Sequence, residues 1–168
     1  QWACLLGHEA LVPTLLDARA DPSVTDSEGR SPLMICCRQG HADIMLMLMH
    51  KDSNPFQCDG EGRNALAWAC RAGQVSLVPL LLQAVPGRRQ ELLDQKDAKG
   101  QTALHHASAA PSTVQALLQA GASRYVLDGT GRTPLMTAHA QGLSKTINAF
   151  RQAAGARQYH RPPLCALT

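Results

Sequence analysis

The sequence predicts an all-α protein built from a repeated pair of short helices, and three observations support this fold class. A motif of the form Asp-x-x-Gly-x-x-x-Leu occurs four times, at residues 26–33, 59–66, 97–104 and 128–135, and its glycines are 33, 38 and 31 residues apart. A run rich in leucine or other apolar residues follows each motif. Only 4% of the 168 residues are aromatic, whereas 13 are Gly and 10 are Pro. Repetition at this period, with small residues and frequent breakers, is typical of short helices that pack closely.

Each motif encodes a turn followed by the first helix of a pair. The Asp-x-x-Gly segment predicts a tight turn, in which glycine adopts the positive φ that other residues resist. Ser, Thr or Asn then caps the helix, and Pro32 and Pro134 occupy its first position, where a missing amide costs nothing. We expect Gly40, Gly73 and Gly142 to end this helix and allow the chain to reverse.

The apolar runs at residues 44–49, 75–82, 114–118 and, more weakly, 147–150 predict the second helix of each pair. Pro13 and Pro79 hold equivalent places in these helices and must lie in the first turn to avoid losing a hydrogen bond. Two repeats depart from the 33-residue period. The repeat at 59–96 carries extra length at 85–93, and the repeat at 97–127 has Ala110-Pro111 where a stop glycine is expected, so its corner should be irregular.

These motifs, together with Gly40-His41 and Gly121-Ala122, resemble the ankyrin repeat family. A truncated repeat precedes them, with Ala3-Cys4 as its pair of small residues and Gly7-His8 as its helix stop. The resemblance implies a solenoid of helix-turn-helix units joined by β-turn or hairpin loops, and protein recognition through the loop tips and the concave helix face.

We expect an ankyrin repeat domain at 1–156, made of a partial repeat at 1–25 and repeats at 26–58, 59–96, 97–127 and 128–156, followed by a C-terminal tail at 157–168. Because the first residues already match the inside of a repeat, we expect the chain to be part of a longer protein.

Charge and cysteine content narrow the functional classes. The net charge of +3 is too small to indicate nucleic-acid or membrane binding by itself, and no apolar run approaches the ~20 residues that span a bilayer. The charge is uneven, with a net of −3 over residues 1–98 and +6 over residues 99–168. The six cysteines lack C-x-x-C spacing, and adjacent Cys36-Cys37 is a poor disulfide framework, so we expect free thiols and an intracellular location, in the cytoplasm or the nucleus.

The sequence favours neither catalysis nor metal binding. His8, His41 and His105 occupy positions defined by the repeat, and the adjacent His105 and His106 would point to different sides of a helix. The cysteines of the small pairs stand where alanine stands in other repeats, so they act as small apolar spacers. There is no Ser/His/Asp arrangement, phosphate loop or paired-carboxylate motif. We therefore expect no enzymatic activity, no cofactor and no metal.

Aligned positions along the repeats indicate where a partner would bind. The residue before each small pair is Trp2, Ile35, Trp68, His106 and Thr137, and the residue after it is Leu5, Arg38 and Arg71 in the first three units. The residue after each turn glycine is Arg30, Arg63, Gln101 and Arg132. Since leucine, alanine and cysteine fill the core positions, we expect Trp2 and Trp68 to be exposed as two anchors for an extended ligand; the alternative is that a tryptophan here only covers neighbouring helix ends. The predicted partner-binding residues are Trp2, Leu5, Arg30, Ile35, Arg38, Arg63, Trp68, Arg71, His106 and Arg132.

The resulting hypothesis is a non-catalytic scaffold or adaptor module that binds a peptide or a protein. Three alternatives stay open at this stage. The chain could be a targeting or regulatory module of a larger multidomain enzyme, it could bind nucleic acid through its basic C-terminal third, or it could only space two other domains.

Overall fold

The computed structural model describes residues 1–158, with side chains described as far as residue 153. This part of the chain is helical and contains no strand, which confirms the predicted all-α class. Its α-helices are α1 (Trp2–Leu6), α2 (Leu11–Asp17), α3 (Pro32–Gln39), α4 (Ala42–His50), α5 (Ala65–Arg71), α6 (Leu77–Gln83), α7 (Arg89–Asp94), α8 (Ala103–His106), α9 (Pro111–Gln119), α10 (Pro134–Ala140) and α11 (Ser144–Gln158). Short 3₁₀ helices occur at Pro86–Arg88 and Ala107–Ala109.

The helices form two layers. The first helices of the repeats, α1, α3, α5, α8 and α10, pack side by side in chain order. The second helices lie behind them, with contacts between α2 and α4, between α6 and α9, and between α9 and α11. Each repeat therefore packs on the next, as in a solenoid of stacked helix pairs. We call the surface formed by α1, α3, α5, α8 and α10 the first-helix face.

The turns between repeats form the edge of the solenoid. In the turn that begins at Asp59, the carboxylate Oδ1 accepts hydrogen bonds of 2.9 Å from the backbone amides of Glu61 and Arg63. The turns that begin at Asp26, Asp97 and Asp128 repeat this arrangement. Backbone hydrogen bonds also join each turn to the next, from Gly60 to Glu28, from Ala98 to Glu61 and from Gly129 to Lys99. The predicted turn motif thus holds each repeat together and aligns it with its neighbour.

The predicted helix ends are confirmed. Ser31, Asn64 and Thr133 accept hydrogen bonds from backbone amides in the first turns of α3, α5 and α10. Pro32 and Pro134 begin their helices. Gly40, Gly73 and Gly142 have φ of 90°, 74° and 68°, which ends each first helix in the left-handed region. Pro13 and Pro79 are the third residues of α2 and α6, inside the first turn, so neither breaks a helical hydrogen bond.

The core is built from aliphatic and small side chains. The small residues of the first helices, such as Cys36, Cys37, Ala69 and Cys70, are fully buried. Leucines of the second helices, such as Leu77 and Leu81, pack against them. Small side chains at the centre let the two helix layers approach closely, which explains why this core needs few aromatic rings.

The two repeats that depart from the 33-residue period accommodate their irregular length in different ways. The extra residues after α6 form the 3₁₀ helix Pro86–Arg88 and then α7, which buries Leu92 and Leu93 in the core. The guanidinium of Arg88 lies 3.9 Å from the ring centroid of Phe56, so the added segment also packs on the preceding repeat. At the Ala110-Pro111 corner, α8 is only four residues long and continues into a 3₁₀ helix before α9 begins. The prediction of an irregular corner is confirmed, whereas the extra helix was not predicted.

The last helix pair extends the stack. α11 runs to Gln158, two residues past the predicted end of the domain at 156. The rest of the predicted tail, with Pro162-Pro163 and Cys165, lies outside the described residues. None of the helices described has the length and apolar character that a membrane crossing needs.

Candidate partner-binding face

A groove opens at the N-terminal end of the first-helix face, and five of the predicted binding residues meet there. Its volume is about 200 Å³. It is lined by Gln1, Trp2, Leu5, Asp26, Arg30, Ile35 and Arg38. Trp2 is an exposed part of this lining, with 75% of the residue's surface accessible. α1 and α3 therefore form an apolar depression with arginines at its rim.

Trp68 is not an exposed anchor, and this part of the sequence-based prediction is wrong. Only 7% of its surface is accessible. Its indole Nε1 donates a hydrogen bond of 2.9 Å to Oδ2 of Asp59. The guanidinium carbons of Arg63 and Arg38 lie 4.4 Å and 5.6 Å from its ring centroid. The neighbouring turn and arginines thus cover the ring, so the two tryptophans have different environments despite their aligned positions.

Arg63 is also part of the internal structure and is not a free contact residue, contrary to the prediction. Its Nε lies 2.9 Å from Oδ2 of Asp59 and its Nη1 lies 3.0 Å from a carboxylate oxygen of Glu61. Burial acts to raise the pKa of Asp59, but hydrogen bonds from Arg63 and Glu61 and the charge of Arg63 outweigh it, so the pKa lies below its usual value. Arg63 therefore neutralises a buried carboxylate within its own turn.

Arg30 makes the same contacts one repeat earlier and is less enclosed. Its Nε lies 2.7 Å from Oδ2 of Asp26, and its Nη1 lies 3.1 Å from Glu28. The Arg30 side chain is partly exposed and lines the groove, so it can both hold its turn and contact a partner.

His106 takes the place of Trp68 in the next repeat, and its predicted role as an exposed contact is wrong. Its Nε2 lies 2.9 Å from Oδ2 of Asp97, and its side chain is largely buried. Burial lowers the pKa of His106 below its ordinary value, the hydrogen bond to Asp97 acts in the opposite direction, and the charges of Arg71 and Arg63 lower it further. Ile35, at the same position of α3, is likewise 9% accessible and contributes to the groove floor rather than to an exposed row.

Arg38, Arg71 and Arg132 remain exposed, as predicted. Within the described residues, none of the three guanidiniums contacts a carboxylate. Arg132 also has a backbone role, because its amide donates to Asp128 and its carbonyl oxygen lies 3.1 Å from Nε2 of His105. The exposed, unpaired Arg38 and Arg71 thus lie in successive repeats of the first-helix face, and Arg132 lies two repeats further on, in a turn.

Sequence reasoning missed that the turn aspartates anchor the helices. Asp59 and Trp68 are nine residues apart, as are Asp97 and His106, and both pairs are joined at 2.9 Å. The signal available in the sequence was this constant separation between a turn aspartate and a side chain with a ring N–H, which could have predicted the hydrogen bond. Sequence reasoning also missed the pocket between the 52–56 loop and the Pro86–Arg88 segment, since an insertion carries no repeat position to align.

Most of the described thiols are packed in the core. The described cysteines form no disulfide, and four of the five are buried. Burial raises the pKa of the Cys4 thiol to about 11 and also raises the pKa of the Cys70 thiol, which disfavours the nucleophilic thiolate. Among the described residues, His, Cys, Asp and Glu side chains form no group of three that could hold a metal ion.

The comparison with known families agrees with this architecture. A family model described as ankyrin repeats in three copies matches residues 1–91, and a single ankyrin repeat model matches residues 99–129. These matches cover more than half of the chain, which belongs to the ankyrin repeat family. A search of curated proteins gave no match. Ankyrin repeats are generally protein–protein interaction modules.

Proposed function

We propose that this chain is a non-catalytic scaffold or adaptor module that holds a peptide or protein partner on its first-helix face. The observation that carries the proposal is the apolar groove formed by Leu5 and Ile35, which lies beside the exposed and unpaired Arg38 and is followed one repeat later by the exposed and unpaired Arg71. An apolar depression left open on the surface is a feature of interaction sites. Tryptophan and arginine are also the residues most enriched in binding hot spots, and Arg30 and Arg38 border the groove.

The turn tips extend the proposed surface. Glu28, Glu61, Lys99 and Thr130 are exposed at successive tips, next to the first-helix face. Because backbone hydrogen bonds join these turns, their side chains are held in one row. A partner that lies in the groove could also contact this row, whose charge changes from negative at Glu28 and Glu61 to positive at Lys99 and could contribute specificity.

The cysteines support the non-catalytic and intracellular parts of the proposal. Cys36 and Cys37 are fully buried in α3 as free thiols, where they pack as small apolar side chains. Such thiols suit a reducing compartment. Their burial also separates them from any substrate.

A matched pair of variants tests the proposed face. Trp2→Ala removes the exposed indole, and Leu15→Ala removes an exposed apolar side chain from α2 in the second-helix layer, where 46% of the surface of Leu15 is accessible. Both changes should alter stability by no more than about 0.5 kcal/mol, because both side chains are exposed. Proteins captured from a cell lysate by the unmodified chain and by each variant would be quantified by mass spectrometry, and the Kd of a purified captured protein would then be measured.

We expect the loss of Trp2 to weaken binding by about thirtyfold, as for a hot-spot tryptophan, and Leu15→Ala to leave binding unchanged. Equal capture and equal Kd for the two variants would refute the proposed face.

A further inference from the structure

Arg38 and Arg71 are a pair of exposed cations that the fold leaves without a counter-charge. They occupy equivalent positions near the ends of α3 and α5, one repeat apart. The nearby turn carboxylates are already engaged, with Asp26 bound to Arg30, Asp59 to Arg63 and Asp97 to His106. Within the described residues neither Arg38 nor Arg71 forms an ion pair, so both guanidiniums are available to a ligand.

Trp68 lies against one member of this pair. The guanidinium carbon of Arg38 lies 5.6 Å from the centroid of the Trp68 ring, within the range of a cation–π contact. Arg71 follows Trp68 by three residues in α5, which places the two side chains on the same side of that helix. The ring itself is fixed by Asp59 and Arg63. An arginine held against a fixed ring loses less conformational entropy when it binds a ligand.

Arg71 is the uncompensated charge at this place. At the neighbouring His106, burial lowers the pKa most, the hydrogen bond and the charge of Asp97 act to raise it, and the charges of Arg71 and Arg63 act to lower it. Arg63 is neutralised by Asp59 and Glu61, whereas Arg71 is not. The planar guanidinium group pairs well with carboxylates through two parallel hydrogen bonds.

We propose that Arg38 and Arg71 bind acidic side chains of an extended peptide whose apolar residue enters the groove lined by Trp2, Leu5 and Ile35. The inference rests on the proposed function, because it assigns a chemistry to the ligand of the same face. Neighbouring helices lie ~8–10 Å apart and an extended chain advances ~3.3 Å per residue, so successive contacts fall about three residues apart. The partner is therefore a segment in which an apolar residue and two acidic residues, Asp or Glu, lie at intervals of about three, in either chain direction.

Peptide selection tests this chemistry directly, because a random library presents acidic and apolar residues at many different spacings. The probe is a phage-displayed library of random 12-residue peptides, selected separately on the unmodified chain and on its Arg38→Gln/Arg71→Gln variant. Arg19→Gln/Arg151→Gln is the matched control, since it removes the same charge from exposed arginines associated with α2 and α11, outside the first-helix face. Trp2→Ala is a fourth arm that tests the face itself. Circular dichroism verifies that every variant is folded.

We expect peptides selected on the unmodified chain to be enriched in Asp and Glu spaced from an apolar residue, and this enrichment to vanish with Arg38→Gln/Arg71→Gln. A selected peptide, synthesised and measured by titration calorimetry, should bind that variant at least about tenfold more weakly and bind the control with unchanged Kd. The same loss should follow when the acidic residues of the peptide are replaced by Asn and Gln.

Three results would overturn the inference, and they separate it from the proposed function. Peptides without acidic enrichment, weakened by Trp2→Ala but not by Arg38→Gln/Arg71→Gln, would refute the acidic chemistry and leave the face standing. If the Arg19→Gln/Arg151→Gln control weakened peptide binding equally, the loss would come from the change in net charge and not from the positions of Arg38 and Arg71. Failure to select any peptide would refute the acidic-peptide inference and leave the proposed face to the capture experiment, whereas equal binding of a selected peptide to every variant would refute both proposals for that ligand.

Discussion

Asp59 accepts a 2.9 Å hydrogen bond from the indole Nε1 of Trp68 through the same carboxylate oxygen that accepts one from Nε of Arg63. A single buried carboxylate therefore ties the turn of a repeat to the first helix of that repeat. Asp97 and His106 reproduce the relationship in the next repeat, with an imidazole in place of the indole. Trp68 and His106 therefore stabilise the fold, and the exposed Arg38 and Arg71 beside them are the residues that we propose for recognition.

The first prediction concerns Trp68. We expect Trp68→Ala to lower the free energy of unfolding by about 3–5 kcal/mol, because it empties a buried site and removes a donor from the buried Asp59 carboxylate. Trp68→Phe should cost about 1–3 kcal/mol, chiefly from the lost hydrogen bond. Urea denaturation followed by circular dichroism measures both changes, and Trp2→Ala serves as the exposed control. If Trp68→Ala and Trp2→Ala unfolded at the same urea concentration, Trp68 would not have the structural role described.

The second prediction separates backbone strain from a steric clash at two turn glycines. Gly62 and Gly131 have φ of 80° and 76°, so alanine is strained at both. A Cβ at Gly62 would lie 2.8 Å from the backbone nitrogen of Ala98, whereas a Cβ at Gly131 would have no neighbour within 4 Å.

Gly131→Ala should therefore cost about 1–2 kcal/mol, and Gly62→Ala should cost more, since it also disturbs the bond between Glu61 and Ala98. Thermal and urea denaturation of the two variants provide the measurement. Equal losses would show that strain alone acts at these turns.

The third prediction is that the protein loses stability as the pH falls from 7.5 to 5.5. Burial lowers the pKa of both His105 and His106 below the ordinary value of 6.5, so the folded state favours their neutral forms. The unfolded chain binds more protons below about 6.5, and the stability that is present above this pH is lost as the pH falls through it. The urea concentration at the midpoint of unfolding, measured at several pH values between 7.5 and 5.5, reports this loss of stability.

A variant tests the assignment of this pH dependence. His106→Gln removes one of the two titrating groups and should reduce the slope of stability against pH. Midpoints that stay constant over the range in the unmodified chain would contradict the prediction, and an unchanged slope in His106→Gln would assign the dependence to another group.

The fourth prediction compares a threonine whose hydroxyl has no hydrogen-bond partner with a threonine whose hydroxyl has one. The hydroxyl of Thr113 is fully buried and has no hydrogen-bond partner among the described residues. Thr113→Val keeps the shape of the side chain and removes the unsatisfied group, so we expect a gain of about 1 kcal/mol. Thr102→Val removes a hydroxyl that lies 3.0 Å from Nδ1 of His105 at the start of α8, and should cost about 1–2 kcal/mol. Differential scanning calorimetry distinguishes the two directions, and a loss of stability in Thr113→Val would disprove this interpretation of the buried hydroxyl.

The features that could be predicted from the sequence are local ones. The turn glycines, the caps at Ser31, Asn64 and Thr133, and the helix starts at Pro32 and Pro134 depend on φ preferences and on hydrogen bonds across a few residues. Such preferences belong to the residue type itself, so the recurrence of the pattern was enough to place the helix pairs.

The environment of Trp68 could not be predicted in the same way. The repeat alignment placed it with the exposed Trp2, but burial depends on which side chains of its own turn and of the preceding repeat reach the ring. Arg38 and Arg63 come from different repeats, and Asp59 was interpreted only as a turn residue. The helix α7 was missed for a related reason, since the added residues have no counterpart in the other repeats.

The turn-to-turn hydrogen bonds have a consequence for how such a chain can change over evolution. The additional segment leaves the stack after α6 and returns before Asp97, yet Ala98 still bonds to Glu61 as its counterparts do in the other repeats. Residues can therefore be gained or lost at this exit while the turns at Glu61 and Ala98 keep their hydrogen bond. Insertions there can vary the surface after α6 without shifting the row of turns out of register.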